Sequence, residues 1–168
     1  MNKKILSLIL TGVLCFILVG CSNTNTSDNK VKEDIKEEVI ENHKIGDSTY
    51  MDEDKKVMVS VTNVRKVEKD VLGNDAEEGV YAVEVEIVNN SDNDVESDFI
   101  NNYRVKDSNN YECGQLLNYD LKGDLMYDTI RPGETLRGEI AYDVKDGATP
   151  VTMEIDLGLG YYTIFDLE

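Results

Sequence analysis

Apolar residues in the second half of this chain recur at every other position, and that period leaves little room for anything but β-structure. In Val57-Met58-Val59-Ser60-Val61 the three valines share one side. Tyr81, Val83, Val85 and Ile87 alternate with Ala82, Glu84, Glu86 and Val88. Leu136, Ile140, Tyr142 and Val144 alternate with Arg137, Glu139, Ala141 and Asp143, and Val151, Met153, Ile155 and Leu157 with Thr152, Glu154 and Asp156. Successive side chains of a strand point to opposite faces, so each run has an oily and a wet side. Short strands of this kind, evenly spaced, predict an all-β antiparallel sandwich with one face of each sheet buried.

Turn chemistry separates the runs. Asn89–Asp94 is a cluster of residues that bond their own backbone and tolerate positive φ. Arg131-Pro132-Gly133-Glu134 has the pattern of a type II turn, with Pro132 fixing φ and Gly133 supplying the positive one. Lys106–Tyr111 reads as a hairpin turn between Tyr103-Arg104-Val105 and Tyr111-Glu112-Cys113. Gly114–Asp128 fits three readings: a wandering connection, a short helix through Leu117, Leu121 and Leu125, or an edge strand. The closing Tyr161, Tyr162, Ile164 and Phe165 read as a final strand docked into the sandwich.

The amino terminus carries an address. Lys3 and Lys4 precede a run from Ile5 to Val19 in which only Ser7 and Thr11 are polar. That is the layout of a secretory signal, and it is shorter than the ~20 apolar residues a spanning helix needs. Leu18-Val19-Gly20-Cys21 resembles the bacterial lipobox, which implies cleavage after Gly20 and lipid on the Cys21 sulfur. One acyl chain gives only reversible binding, whereas several chains on one residue hold a protein at a membrane without a spanning helix. The expected organisation is a signal peptide over 1–20, a lipidated terminus and polar linker over 21–43, and a sandwich domain over 44–168. Ser22–His43 is polar and free of aromatics. As a flexible spacer its twenty-two residues reach roughly 25 Å. Val31, Ile35 and Val39 are spaced for a helical stripe too short to persist alone in water.

Charge and cysteine content narrow the partners. The chain carries a net −17, and losing residues 1–20 removes Lys3 and Lys4 and no acid, leaving −19. Nucleic acid is excluded as a partner, since phosphate binding needs clustered Lys and Arg. Anionic headgroups would repel such a surface. Cys15 leaves with the signal and Cys21 takes lipid, so Cys113 stands alone and no internal disulfide forms. Its neighbours Glu112 and Gly114 supply no cation to activate a thiol, and the expected place for it is the core.

In order, the segments His43–Tyr50 with its Lys-x-Gly-Asp opening, Val57–Val64, Tyr81–Val95, Asp98–Tyr111 and Ile130–Val144 with its Pro-Gly-Glu-Thr turn resemble a known family. It is the immunoglobulin-like extracellular domain of Gram-positive lipoproteins, domain of unknown function 4352. The resemblance runs from about Lys44 to Leu157 and is weakest over 100–128. It implies a two-sheet immunoglobulin-like β-sandwich, placement outside the cell and no established enzymatic activity.

Catalytic patterns are missing. The only histidine, His43, falls in the expected spacer, and no Gly-x-Ser-x-Gly, His-Glu-x-x-His or phosphate-cradling loop occurs. No catalytic residue, cofactor or metal ligand is assigned. The expected role is a non-enzymatic binding or structural module at the extracellular face of the cell membrane. Its lipid anchor is Cys21, and its partner is a protein or cell-wall component. The alternative is calcium binding by the oxygen-rich Asn90–Asp98 loop, through Asn90, Asp92, Asp94, Glu96 and Asp98, although the Gly and bidentate Glu of a calcium loop are absent. Glu84, Glu86, Glu139, Asp143, Glu154 and Asp156 fall on wet strand sides. They would form either a negative plate that steers a cationic partner or a merely solvated face, and solvation is the expected reading.

Overall fold

A computed structural model describes residues 38–51, 54–97, 102–123, 125, 128–145, 147–158 and 161–168. Gly20, Cys21 and Asp98 lie outside the described residues. Eleven strands follow in order: β1 (Glu38–Lys44), β2 (Ser48–Tyr50), β3 (Val57–Lys66), β4 (Val80–Asn89), β5 (Val95–Glu96), β6 (Tyr103–Asp107), β7 (Glu112–Leu116), β8 (Thr129–Ile130), β9 (Thr135–Asp143), β10 (Pro150–Gly158) and β11 (Tyr161–Asp166). The described residues contain no helix.

The fold is a β-sandwich. One layer runs β1-β11-β10-β6 and the other β9-β4-β3-β2, and β7 belongs to both. Val105 and Lys106 of β6 pair with Cys113 and Glu112, while Gly114, Gln115 and Leu116 pair with Asp143, Tyr142 and Ala141 of β9. The strand thus changes sheets at Cys113-Gly114, a usual way to turn a sandwich corner. Val59, Val61, Val83, Val85 and Ile87 from one layer and Val105, Met153, Ile155 and Phe165 from the other form a single core. Seven of these nine, all but Val105 and Phe165, are positions marked by the period-two pattern. With no disulfide among the described residues, this burial is what opposes the entropy of ordering the chain.

The expected turns form. Glu134 N–H donates to Arg131 O at 2.9 Å with Gly133 at φ 79°. Asp107 Oδ1 accepts from Asn109 and Tyr111 N–H at 2.9 Å each, and Asn110 takes φ 63°, closing the β6–β7 hairpin.

Two expectations change. The first strand begins at Glu38, inside the segment read as spacer, and pairs in parallel with β11, Val39 opposite Tyr162 and His43 opposite Phe165. His43 is therefore part of the sandwich, its ring centroid 5.2 Å from that of Phe165. Second, the segment from Gly114 completes β7 at Leu116 and then, through Gly123, crosses the outer face of the β9-β4-β3 layer. Leu116, Tyr119 and Leu121 pack there on a second small core of Val67, Val80, Ala82 and Ala141. Two positions expected to be wet, Ala82 and Ala141, are buried for this reason.

Strand senses locate the two ends of the sandwich. β1 is parallel to β11, and every step from β11 through β10, β6, β7, β9 and β4 to β3 is antiparallel. That makes β3 run in the same sense as β1. Glu38, where the chain enters, lies at one pole with Val57, Asn89 and Thr135. Lys66 and Val80, which flank the β3–β4 connection, lie at the other.

Candidate functional site

The β3–β4 connection extends its two strands into a hairpin. Val67 N–H donates to Val80 O at 2.9 Å, Ala76 N–H to Glu68 O at 2.9 Å, and Asp70 N–H to Asn74 O at 3.0 Å. Asp70 organises the tip: its Oδ1 accepts from Leu72 N–H at 2.8 Å and Asn74 N–H at 2.9 Å, and its Oδ2 from Asn74 Nδ2 at 2.8 Å. The Asn74 amide, followed by backbone N–H groups, holds the Asp70 carboxyl below its usual pKa. Gly73 adopts φ 83°, which the reversal requires.

A second segment braces this tip. Val71 N–H donates to Asn118 O and Asp120 N–H to Lys69 O, both at 3.1 Å, with Asn118 itself at φ 71°. The brace is fastened to the sheet through Glu139, whose side chain is fully buried. Its carboxylate accepts Arg65 Nε at 2.8 Å, Arg65 Nη2 at 2.6 Å and Lys122 N–H at 2.7 Å, and Arg65 Nη2 also donates to Asp120 O at 3.0 Å. Burial pushes the Glu139 pKa up. The Arg65 and Lys122 hydrogen bonds and charges outweigh that and hold it below the ordinary value.

This frame presents apolar side chains to solvent. Leu72 is 83% exposed, Val71 60% and Leu117 59%. Single exposed apolar residues are unremarkable, but Val71 and Leu72 are adjacent on one braced turn, and exposed Leu117 directly precedes the residue whose carbonyl holds Val71 N–H. Beside it, Arg65, Lys66, Glu68, Lys69, Asp120 and Lys122 line a shallow groove of about 370 Å³. Lys69 there pairs with Asp75 at 2.5 Å. The tip went unread in the sequence. Its signal was Val71-Leu72 set inside turn chemistry, Asp70 before and Gly73-Asn74 after.

The residues singled out from sequence do not gather here. Glu84 accepts from Thr62 Oγ1 at 2.5 Å, Glu86 pairs with Arg137 at 2.5 Å, and Glu154 is held by Lys106 and Arg104. Glu84, Glu86, Glu139 and Asp143 belong to one layer and Glu154 and Asp156 to the other, so they form no single plate; Asp143 and Asp156 are exposed as expected, whereas Glu139 and Glu154 are buried in ion pairs. At the entry to the Asn90–Asp98 loop, buried Asn89 at the end of β4 donates to Asn93 O and Ile130 O at 2.8 Å and accepts from Ser91 N–H at 2.9 Å, while Asp92 pairs with Lys56 at 3.1 Å. No group of three His, Cys, Asp or Glu positioned for a metal occurs among the described residues. Cys113 is buried, and burial first, then Asp107, Asp143 and Glu112, push its thiol pKa up to about 11.

Comparison with known proteins joins these features to a family. Residues 43–163 match the domain of unknown function DUF4352. The chain belongs to that family. No curated protein matches the sequence. Among solved structures, the yjhA protein from Bacillus subtilis is similar at a TM-score of 0.54 and 19% identity, over 75% of this chain and 99% of that one. An uncharacterized β-sandwich protein from Clostridium difficile 630 is similar at 0.50 and 13%, over 79% and 98%. MPT63, a secreted protein from Mycobacterium tuberculosis, is similar at 0.50 and 15%, over 74% and 95%. At these identities the likeness concerns the fold, and it agrees with a DUF4352 β-sandwich.

Proposed function

We propose that this DUF4352 chain is a lipid-anchored, non-enzymatic binding module at the outer face of the cell membrane, tethered through Cys21 and docking a protein or cell-wall partner. The supporting observation is the separation of the two ends of the sandwich: β1 starts at Glu38 at one pole, whereas Val71 and Leu72 are exposed on the β3–β4 hairpin at the other, beside the bracing segment that carries exposed Leu117. Sixteen residues lie between Cys21 and Glu38. Fully extended they span at most about 55 Å. The sandwich itself measures roughly 30 Å along the ten residues of β3. The secreted status of MPT63 agrees with placement outside the cell.

Fractionation of cells producing wild-type chain and Cys21→Ser tests the address. The wild type is expected in the membrane fraction and digestible by protease added to intact cells once their wall is removed. Cys21→Ser is expected to leave the lipid-modified pool. Equal membrane retention of the two chains, or protection of both from added protease, contradicts the reading.

A further inference from the structure

We infer that residues 117–122 form a flap that opens as a unit while the sandwich stays folded, with Glu139 as its latch and an apolar strip of the sheet beneath it. This goes beyond a role in binding, because it concerns a movement built into the fold itself. Three features of the structure carry it.

First, the flap is hinged between fixed ends. Before it, Leu116 closes β7 by pairing with Ala141 of β9. After it, Leu125 is fully buried in the main core. Positive φ values at Asn118 (71°) and Gly123 (76°) mark a bend near each end. The second bend is also a close approach, since a Cβ on Gly123 would lie 2.7 Å from Arg137 O.

Second, what the flap covers is separate from the core that joins the two layers. Tyr119 and Leu121 pack beside Leu116 on Val67, Val80, Ala82 and Ala141. Among the described residues, none of 117–122 belongs to the apolar cluster between the layers. Opening therefore gives up the contacts of the small cluster alone. A segment with few buried apolar contacts opens at lower free energy than the sheet on which it lies.

Third, the ties of the flap are few and converge. Asn118 O accepts Val71 N–H and Lys69 O accepts Asp120 N–H, both at 3.1 Å. The others meet at Glu139, which accepts Lys122 N–H at 2.7 Å from the flap and Arg65 Nε and Nη2 from β3, while Arg65 Nη2 reaches Asp120 O at 3.0 Å. Glu139 stands two residues before Ala141 on the same face of β9, so the latch and the strip share one strand. Release would bare Val80, Ala82 and Ala141 and take the Asn118 brace away from Val71, so strip and tip respond to one movement.

Hydrogen exchange on the full mature chain, followed at increasing sub-denaturing urea, tests this. The Asp120 and Lys122 amides should be protected, with protection lower than in β4 by about tenfold or more. Their rates should barely respond to urea, whereas those of β4 should rise steeply, because only global unfolding exposes much surface. Glu139→Gln should lower the flap protection roughly tenfold without urea. A second variant reads the opening with the latch intact: the thiol introduced by Ala141→Cys, under the flap, should react with a thiol reagent about tenfold faster or more than Cys113 in the main core. Flap and β4 amides exchanging at one rate with one urea slope, flap amides exchanging as fast as in an unfolded peptide, flap amides indifferent to Glu139→Gln, or a thiol at position 141 no faster than Cys113 each overturns the inference.

Discussion

The Arg65–Glu139 clasp carries the sharpest quantitative expectation, because its two partners differ in access to water. Glu139 has no exposed side-chain surface, while Arg65 is 25% exposed at its side chain. Replacing Arg65 with Met leaves a carboxylate buried against one remaining N–H donor, Lys122 at 2.7 Å. Stranding a buried charge costs about 3–5 kcal/mol. Replacing Glu139 with Gln leaves a guanidinium that can still turn toward solvent and an amide oxygen that still accepts, at a cost of about 1–2 kcal/mol. Removing both, as Arg65→Met with Glu139→Leu, should recover most of the loss, since buried ion pairs exchanged for apolar pairs are often neutral.

The pH dependence separates these variants further. In the wild type the folded Glu139 pKa is depressed, so its contribution is present above the unfolded glutamate value, about 4.3, and is lost as pH falls through the folded value. In Arg65→Met burial remains while its principal counterweight is gone, so the depression is lessened even though the Lys122 N–H still donates. The deficit of that variant should then be smallest at acid pH, where the carboxyl is protonated, and grow toward neutrality. Urea unfolding of residues 34–168 between pH 4 and pH 7 reads both effects. Equal costs for the two single variants, or an Arg65→Met deficit below about 1 kcal/mol at every pH, would show that the clasp behaves as an ordinary surface pair.

Three further outcomes follow from the same geometry. Gly79→Ala would place a Cβ 2.2 Å from Val144 O at φ 89°, whereas Gly147→Ala at φ 75° meets open space. Calorimetric melting should show a loss above about 2 kcal/mol for the first and about 1 kcal/mol for the second. Asn89→Ala removes the buried amide that ties Asn93 and Ile130 together and should cost about 2–3 kcal/mol, while Asp92→Asn and added chelator should both leave the melting midpoint unchanged. Cys113, buried with its pKa near 11, should react with a thiol reagent at pH 8 only at the rate of unfolding, and prompt stoichiometric labelling of folded protein would contradict its placement.

The sandwich was legible because its information is local. Val59, Val61, Val83, Val85, Met153 and Ile155 show their common face within a few residues of sequence, and Arg131–Glu134 and Lys106–Tyr111 carry their turns in their own chemistry. What stayed hidden depends on partners far along the chain. β1 is charged and reads as spacer until β11, more than a hundred residues later, offers it an edge. Glu139 reads as wet until Arg65, seventy-four positions away, closes over it. Ala82 and Ala141 are too small to announce a core, and Tyr119 and Leu121 cover them only because the chain after β7 doubles across the sheet. The tip escaped notice because apolar residues in a turn break the period that made everything else readable.

Whether the tip is free to dock depends on which pole faces the lipid. Single cysteines introduced as Leu72→Cys and Glu134→Cys can be labelled with a fluorophore in the lipidated chain, since Cys113 is buried. With the chain on vesicles carrying a headgroup-bound quencher, the label at 134 should be quenched more than the label at 72. Equal quenching, or stronger quenching at 72, would mean that the apolar tip lies at the membrane and that the outward-docking reading is wrong.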